Sequence, residues 1–381
     1  MKVLIVKDRP SAGGGIVNYY KSIDKYLTVD VKYINIGKAF SYYGKTNSLI
    51  YLLKRLTPVR LFFDYLKFLV LVILFCPDIV HINVSLDKEK RSIYREALNV
   101  LISRIFRKKV LVFWRGWYGD YHNKGQFPTG NDSFVCKLYR SAEGQIVLSN
   151  QFKEDLQRWG FKEPAFVETT TIDRDLTDNI DIDSSKLSRK STNLIFLSRV
   201  EKEKGLFELI DAYKILKQKN VCYRLMIAGD GPDLREIKKY VFKNNIQDII
   251  FTGFVKGEEK VNCFKESSIF CFLSFYGEGM PNAVLEAMAM GLPIVSSDVG
   301  GLKDILEDGK TGFIVNRVEG REDGHKFNPT EIAEKIEKLS QDDTLRKSMS
   351  DYNTKYAKEK FYPEKVAKRL ENIYKEIMQS K

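Results

Sequence analysis

The chain of 381 residues has few of the side chains that build disulfide frameworks and metal centres. It contains five cysteines and three histidines, and no two cysteines have CxxC spacing. An odd, scattered set of thiols argues against disulfides and structural zinc and favours free, buried cysteines. The histidines, at positions 81, 122 and 325, lie too far apart in sequence to predict a histidine-rich metal centre.

Long apolar runs are also lacking. The longest, Phe68–Cys76, ends at Pro77 and is too short to span a bilayer. The N-terminal MKVLIVKDRP is too short for a signal peptide and predicts a first strand instead. We therefore expect a cytoplasmic protein without a membrane span.

The formal net charge is +12, which favours acidic partners such as phosphorylated small molecules or anionic lipid. A lysine-rich solvated surface explains the same charge equally well. We find no zinc-finger spacing, helix-turn-helix or aromatic–basic strand motif, so we expect no nucleic-acid partner.

Short apolar runs alternate with helical stretches along the whole chain, which predicts parallel sheets covered by helices on both faces. The strand candidates are 3–6, 31–34, 79–82, 110–113 and 146–148, then 194–197, 225–228, 249–252, 269–273, 294–297 and 313–315. The polar segment 173–192 predicts a linker. We therefore expect two doubly wound α/β domains facing a cleft, residues 1–172 and 193–361. The tail predicts two charged helices broken near Tyr362, the second of which (about 362–381) we expect to pack back on the first domain.

The segment Glu278–Gly291 has the features of an anion and sugar site. Gly277 and Gly279 follow a predicted strand, Pro281 suits the first turn of a helix, and Gly291 suits its C-terminal end. The N-terminus of such a helix binds phosphate, and the carboxylates of Glu278 and Glu286 accept hydrogen bonds from sugar hydroxyls. Two ordinary surface glutamates are the alternative, but Glu286 lies in an apolar stretch.

Three further loops follow predicted strands. The loop SRVEKEKG carries Arg199 and Lys204, which suit phosphate binding or are simply surface charges. The loop SAGGG, residues 11–15, permits close backbone approach to a ligand or makes a tight turn, and it is not a dinucleotide fingerprint. The sequence WRGW, residues 114–117, suits sugar stacking or packing between domains.

These motifs resemble the GT-B glycosyltransferases of family 4, which are retaining enzymes. The resemblance covers nearly the whole chain and is strongest from Asn193 to Val315, where AGDGPDLREI, FTGFVKGEE and GEGMPNAVLEAMAMG occur. Glu278 and Glu286 form the family's E-x7-E pair. The implied fold is the GT-B architecture of two Rossmann-like domains, with the nucleotide sugar bound by the second.

The resemblance also implies roles for individual residues. Arg199 and Lys204 would stabilise the leaving diphosphate, Glu278 would bind the transferred sugar, and Glu286 would bind the ribose. Other residues would complete donor binding: the backbone of Gly279, Met280, Pro281 and Asn282 at phosphate and sugar, Phe254 and Val255 at the base, and Gly14 and Gly15 at the phosphate.

Two positions depart from the family pattern, and both put the acceptor side in doubt. A histidine that the family often carries is replaced by Arg115, which we include as a candidate catalytic residue. The family's Asn-Gly-Val-Asp appears as Thr170-Thr171-Ile172-Asp173, so only Asp173 matches.

The implied function is metal-independent transfer of a hexose or N-acetylhexosamine, without a cofactor, from a UDP-sugar or, less favoured, a GDP-sugar. The acceptor would be a saccharide or a lipid-linked saccharide in bacterial surface polysaccharide synthesis. A GT-B epimerase or phosphorylase, and a non-catalytic nucleotide-sugar-binding protein, are the alternatives. The segment Leu49–Cys76 mixes apolar and basic residues, so it predicts either peripheral contact with the anionic inner face of the cell membrane or a core-facing helix with a basic outer face.

Overall fold

The computed structural model describes residues 1–9, 15–36, 57–86, 90–117, 125–162, 164–173, 176, 192–219, 223–275, 277–320 and 324–380. They form two compact units. The first consists of Met1–Thr169 together with Pro363–Lys381, and the second of Thr170–Tyr362.

The first unit contains a parallel six-stranded sheet. Its strands are β1 (Lys2–Lys7), β2 (Asp30–Asn35), β3 (Ile79–Leu86), β4 (Lys109–Trp117), β5 (Gly144–Val147) and β6 (Ala165–Val167). The order across the sheet is β2-β1-β3-β4-β5-β6. The apolar run Val3–Val6 is fully buried in β1, as expected for a central strand covered on both faces. The strand order reverses between β1 and β3, and ligands of such sheets bind beyond the carboxyl ends of the strands at this point.

Among the described residues, five helices of the first unit precede the second unit in sequence. They are α1 (Gly15–Ile23), α2 (Thr57–Leu74), α3 (Arg91–Ile105), α4 (Phe134–Arg140) and α5 (Asn150–Arg158). The hydroxyls of Ser133 and Ser149 cap α4 and α5 by accepting hydrogen bonds from Cys136 N and Phe152 N, each at 3.1 Å. Serine at this position satisfies an amide that has no partner inside the helix, which explains where both helices begin.

Helix α2 has apolar side chains on two faces. Phe68 and Val72 are buried, whereas large apolar side chains at 59, 62, 63, 66, 70, 73 and 74 are exposed. These positions recur every three or four residues, so they form one stripe along the outer face of the helix. The inner face is therefore core-facing, whereas the described outer face carries more apolar than basic side chains. Residues 49–56 of the predicted segment lie outside the described residues. Within the described ranges, no helix is long and apolar enough to cross a membrane.

The second unit contains another parallel six-stranded sheet. Its strands are β7 (Thr192–Leu197), β8 (Tyr223–Ala228), β9 (Ile249–Gly253), β10 (Ile269–Phe272), β11 (Ile294–Ser297) and β12 (Gly312–Val315). The order is β12-β11-β10-β7-β8-β9, with Ile269 paired to Leu194 and Phe270 to Ile195. The order reverses between β7 and β10, so the loops that follow these two strands meet at the ligand-binding edge.

Six helices of the second unit lie within the part of the chain that the structure describes. They are α6 (Leu206–Lys217), α7 (Leu234–Lys243), α8 (Gly257–Lys265), α9 (Asn282–Ala289), α10 (Pro329–Gln341) and α11 (Asp343–Lys360). The expectation of a single helix between Asn328 and Tyr362 is wrong, because the chain breaks at Asp342. That residue is extended, with φ −116° and ψ 93°, and its side chain accepts a hydrogen bond from Leu345 N at 2.8 Å.

The last helix, α12 (Pro363–Gln379), belongs to the first unit. Arg369 Nε donates to both carboxylate oxygens of Glu168 at 3.0 Å, and Glu371 accepts from the hydroxyl of Thr28 at 3.0 Å. Tyr374 is fully buried. Paired charges and a buried aromatic side chain therefore fix α12 on the first unit.

The thiols agree with the sequence expectation at three positions. Cys136, Cys263 and Cys271 are free and buried, whereas Cys76 is exposed, so the expectation of burial is wrong there. Cys76 follows α2 and has φ 49° directly before Pro77, a left-handed turn at the surface. Cys222 lies outside the described residues.

Candidate functional site

Two loops of the second unit meet at the carboxyl ends of β7 and β10. Gly205 brings them together: it has φ +67°, and a Cβ there would lie 2.1 Å from the carbonyl oxygen of Leu273. Phe275 N donates to the carbonyl of Glu203 at 2.9 Å, which ties the loop after β10 to the loop after β7. Only glycine permits this approach, so the sequence SRVEKEKG fixes where its own lysine is held.

Lys204 and Glu278 form an ion pair at this junction. Both side chains are largely buried, and the hydroxyl of Ser274 donates a second hydrogen bond to Glu278 Oε1 at 2.9 Å. Lys204 Nζ also lies 5.7 Å from the centroid of the Phe272 ring. The structure therefore joins two predicted site residues that are 74 positions apart in sequence.

The backbone at Glu278 and Gly279 is held by a second close approach. Gly300 has φ +54°, and a Cβ there would lie 1.7 Å from the carbonyl oxygen of Glu278. Gly301 N donates to the carbonyl of Gly279 at 2.9 Å. This glycine pair lies beyond the predicted segment Glu278–Gly291 and was not among the predicted site residues.

Helix α9 begins beside this backbone. Pro281 has φ −67° and ψ 115°, so it is the extended residue before the helix and not its first residue. The helix expected from about Pro281 therefore has Asn282 as its first helical residue. Gly291 has φ +72° just past the helix end, as predicted. The carbonyl of Met280 accepts a hydrogen bond from the hydroxyl of Thr170 at 3.3 Å, which links one of the unusual threonines to the candidate site.

Glu286 is buried within α9 but has charged partners. Its Oε1 accepts a hydrogen bond from Lys260 Nζ at 2.9 Å, and the same ammonium lies 3.4 Å from Asp173 Oδ2. Burial raises the pKa of Glu286 from its ordinary value, while the charge of Lys260 opposes that rise. Burial works against the charge on Lys260, but Glu286 and Asp173 outweigh it and raise the pKa of Lys260. Lys260 was not among the predicted site residues, because no local sequence pattern links α8 to α9.

The remaining predicted residues of the second unit lie at its loops. Arg199 is partly exposed and pairs with Glu201 at 2.9 Å. Phe254 and Val255 lie on the loop from β9 to α8, and the Phe254 side chain is 74% exposed. The roles of these residues at diphosphate and base stay predictions.

Arg115 lies near the end of β4 in the first unit. Its Nε donates to Asn83 Oδ1 at 2.8 Å, and its guanidinium carbon lies 3.8 Å from the Tyr19 ring centroid and 3.5 Å from that of Phe113. Its Nη2 is buried and makes no hydrogen bond within the part of the chain that the structure describes. The guanidinium is therefore held by ring stacking and one hydrogen bond, and its Nη2 has no hydrogen-bond partner among the described residues.

Beside Arg115 lies a buried histidine that the sequence argument set aside. His81 contacts the hydroxyl of Tyr20 at 3.3 Å through Nε2 and that of Tyr374 at 2.7 Å through Nδ1. Burial, and to a smaller extent the charge of Arg115, lowers the pKa of His81 well below 6.5, so the ring is neutral. Gly15 begins α1 with open space around its Cβ position, and Gly14 lies outside the described residues.

The site of the second unit thus presents one carboxylate just before α9 and one within it, and each carboxylate pairs with a lysine. Such an arrangement suits a ligand that combines hydroxyl groups with phosphate. Among the described residues, no group of three or more His, Cys, Asp or Glu side chains is placed to hold a metal ion.

Two doubly wound parallel sheets, each with a switch point in its strand order, make up the GT-B fold. The crystal structure of Anabaena Alr3699/HepE in complex with UDP has the same fold. The two structures superpose with a TM-score of 0.72 at 16% identity, covering 99% of this chain and 100% of that one.

Residues 178–356, slightly less than half of the chain, match the family model described as "Glycosyl transferases group 1". The resemblance to GT-B glycosyltransferases is therefore confirmed, and the finer assignment to family 4 stays a prediction.

Curated relatives carry related names. The capsular polysaccharide biosynthesis glycosyltransferase CapM of Staphylococcus aureus is 26% identical over 250 residues, which are 63% of this chain and 60% of CapM. The alpha-D-kanosaminyltransferase of Streptomyces kanamyceticus is 28% identical over 185 residues, 48% of this chain and 45% of the relative. The chain thus spans roughly half the length of these relatives.

Proposed function

We propose that the chain is a retaining, metal-independent glycosyltransferase that moves a hexose or N-acetylhexosamine from a nucleotide diphosphate sugar to a saccharide or lipid-linked acceptor. The observation that carries the proposal is the pairing of Lys204 with Glu278 directly before α9. A cation beside a helix N-terminus favours a departing diphosphate, and the carboxylate next to it accepts sugar hydroxyls.

The names of the relatives support the transferase class, and CapM's name supports surface polysaccharide as the product. The UDP bound to the Anabaena structure supports a UDP-sugar over a GDP-sugar as donor. The family resemblance of the motifs supports retention of the anomeric configuration.

The residues of the second unit would act electrostatically. As the bond from C1 to the diphosphate oxygen breaks, Lys204, Arg199 and the first amides of α9 would stabilise the negative charge on the leaving group. Glu278 would orient the sugar, and Glu286 would bind the ribose. The acceptor oxygen would attack C1 from the face of the departing diphosphate, and its proton would pass to a phosphate oxygen of the donor.

Donor binding and product stereochemistry test this proposal directly. Calorimetry with UDP and GDP identifies the nucleotide, and turnover with a panel of sugar donors and alkyl glycoside acceptors, with EDTA present, identifies the reaction. We expect UDP release only when an acceptor is added, and a product whose anomeric proton coupling in NMR matches that of the donor. An inverted anomer would refute retention, and UDP release without acceptor would favour an epimerase or hydrolase.

The exposed stripe of α2 favours peripheral membrane contact as part of the same function. Phe62, Phe63 and Leu74 are 64%, 59% and 79% exposed. Helix α2 packs against α3, which ends with exposed Ile105 and Phe106 between the basic residues Arg104 and Arg107. Apolar side chains inserted at the headgroup level and cations beside them suit an anionic lipid surface, from which a lipid-linked acceptor would be taken.

Vesicle cosedimentation tests the contact. Binding to phosphatidylglycerol vesicles should exceed binding to phosphatidylcholine vesicles, and the double substitution Phe62→Ser with Phe63→Ser should abolish most of it. Phe242→Ser removes a ring from α7 that is even more exposed, at 89%, so it is the control and should change nothing. Equal binding by all three proteins would refute the role of α2.

A further inference from the structure

Lys260 is a buried cation that no motif assigned to the donor site. It lies on α8 and contacts a carboxylate on α9 and another at Asp173, at the start of the second unit's chain. Its side chain is 14% exposed, that of Glu286 is 5% exposed and that of Asp173 is 30% exposed. Three elements that are distant in sequence thus bring their charges together at one point.

We infer that Lys260 is a positioning residue that keeps Glu286 ionised and aligned to accept the hydroxyls of a nucleotide ribose. The inference rests on the proposed function, because it takes Glu286 as the ribose-binding carboxylate. Lys260 would then act on Glu286 and not directly on the substrate.

Geometry supports an action through Glu286. Lys260 Nζ bonds Oε1 of Glu286 at 2.9 Å, and the backbone of Asp173 also hydrogen bonds to this carboxylate. An ionised carboxylate has about four acceptor positions, so both contacts leave room for a vicinal diol. The two contacts also fix the plane of the carboxylate before a nucleotide arrives, which lowers the entropy cost of binding.

Charge supports the same conclusion. A carboxylate this deeply buried takes up a proton unless a cation faces it, and a protonated carboxyl group accepts fewer hydroxyl hydrogen bonds. The groups that face Glu286 are Lys260, which favours the ionised form, and Asp173, which disfavours it. Removing Lys260 would therefore leave two carboxylates facing each other, and the pKa of Glu286 would rise further above its ordinary value.

The test compares UDP with 2′-deoxy-UDP by calorimetry between pH 5 and pH 9. The wild-type protein should bind UDP roughly tenfold more tightly, since a hydroxyl hydrogen bond to a charged group contributes about that much. In Lys260→Met this preference should fall to about twofold at pH 7 and recover as the pH rises. Its loss on acidification should begin at a higher pH than in the wild type, because the pKa of Glu286 is higher without the cation.

Three variants separate charge from fold. Lys260→Arg keeps the cation and should keep the preference, while Lys260→Gln keeps a hydrogen-bond donor without charge and should lose it as Lys260→Met does. Adding Asp173→Asn to Lys260→Met removes the repelling carboxylate and should shift the pH profile back toward the wild type. Lys256→Met, at an exposed position just before α8, is the control and should match the wild type.

Two results would lead to different conclusions. If the wild type prefers UDP and Lys260→Met or Lys260→Gln keeps that preference and its pH profile, Lys260 has only a structural role and the inference is overturned. If the wild type binds neither UDP nor GDP, the proposed function itself fails, whatever the variants do.

Discussion

Replacing Lys204 by methionine tests the centre of the proposed site. The methionine keeps most of the aliphatic volume beside the Phe272 ring but removes the ammonium that pairs with Glu278. Glu278 would remain largely buried, with the hydroxyl of Ser274 at 2.9 Å as its remaining described hydrogen-bond donor. The substitution should therefore lower both the free energy of unfolding and kcat, because both depend on the ammonium of Lys204.

The magnitudes follow from how deeply the pair is buried. Removing one partner of a fully buried ion pair costs about 3–5 kcal/mol, because the other charge is left uncompensated. The two side chains here retain 11% and 14% exposure, and Glu278 keeps the serine contact, so we expect about 2–3 kcal/mol. Loss of one preorganised charge at a leaving group lowers kcat by roughly 10²–10³.

Urea unfolding and steady-state kinetics measure the two effects. Lys202→Met is the matched control, since that lysine lies in the same turn but pairs with Glu236 at 3.2 Å with both side chains 54% exposed. A surface pair of this kind contributes about 0–1 kcal/mol, and kcat should not change. The double variant Lys204→Met with Glu278→Gln removes the orphaned charge and should regain stability without regaining activity.

Two outcomes would refute the reasoning. A folded Lys204→Met protein with kcat within threefold of the wild type would exclude stabilisation of the leaving group by this lysine. If the double variant is less stable than the single one, the cost of Lys204→Met does not come from an uncompensated carboxylate.

Three further predictions concern the glycine contact, the buried histidine and the exposed arginine. Gly300→Ala should lower the free energy of unfolding in urea by more than about 2 kcal/mol, because φ is +54° and the new Cβ would collide with the Glu278 carbonyl. Gly309→Ala is the control: φ is +77° but the Cβ position is open, so the cost should be about 1 kcal/mol. Burial lowers the pKa of His81, so below pH 6.5 the unfolded chain binds more protons than the folded protein. The free energy of unfolding should therefore fall as the pH drops below 6.5, and His81→Gln should reduce this pH dependence. Arg199→Ala should lower kcat more than it weakens UDP binding, and an unchanged kcat would exclude a role at the leaving group.

Much of the second unit follows from local patterns in the sequence. The run Leu194–Leu197 is short and apolar, so the strand is predictable. The polar residues between it and Gly205 predict the loop that carries Lys204. Gly291 ends α9 with φ +72° because glycine tolerates that conformation. Side chains that act within their own turn leave a signal in the sequence around them.

The missed features depend on partners that are distant in sequence or on small differences in capping. The helix ends before Asp342 because the side chain of this residue caps α11. The sequence alone does not distinguish Asp342 from the other charged residues of the tail. Proline suits the residue before a helix as well as its first position, so the sequence alone places the start of α9 only approximately at Pro281. Lys260 reaches Glu286 across 26 positions, and its register in α8 alone does not reveal its partner.

The two lysine–carboxylate pairs explain how one short helix can serve a ligand rich in negative charge. Glu278 and Glu286 lie before and within α9, where a diphosphate would meet the helix N-terminus, and bare carboxylates there would repel it. Lys204 and Lys260 each neutralise one of them without occupying all of its acceptor positions. Substitution of either lysine therefore removes a positive charge that attracts the diphosphate and leaves a carboxylate that repels it. For this reason the effects of substituting a lysine and its own glutamate should be strongly non-additive, whereas those of substitutions in different pairs should add more nearly.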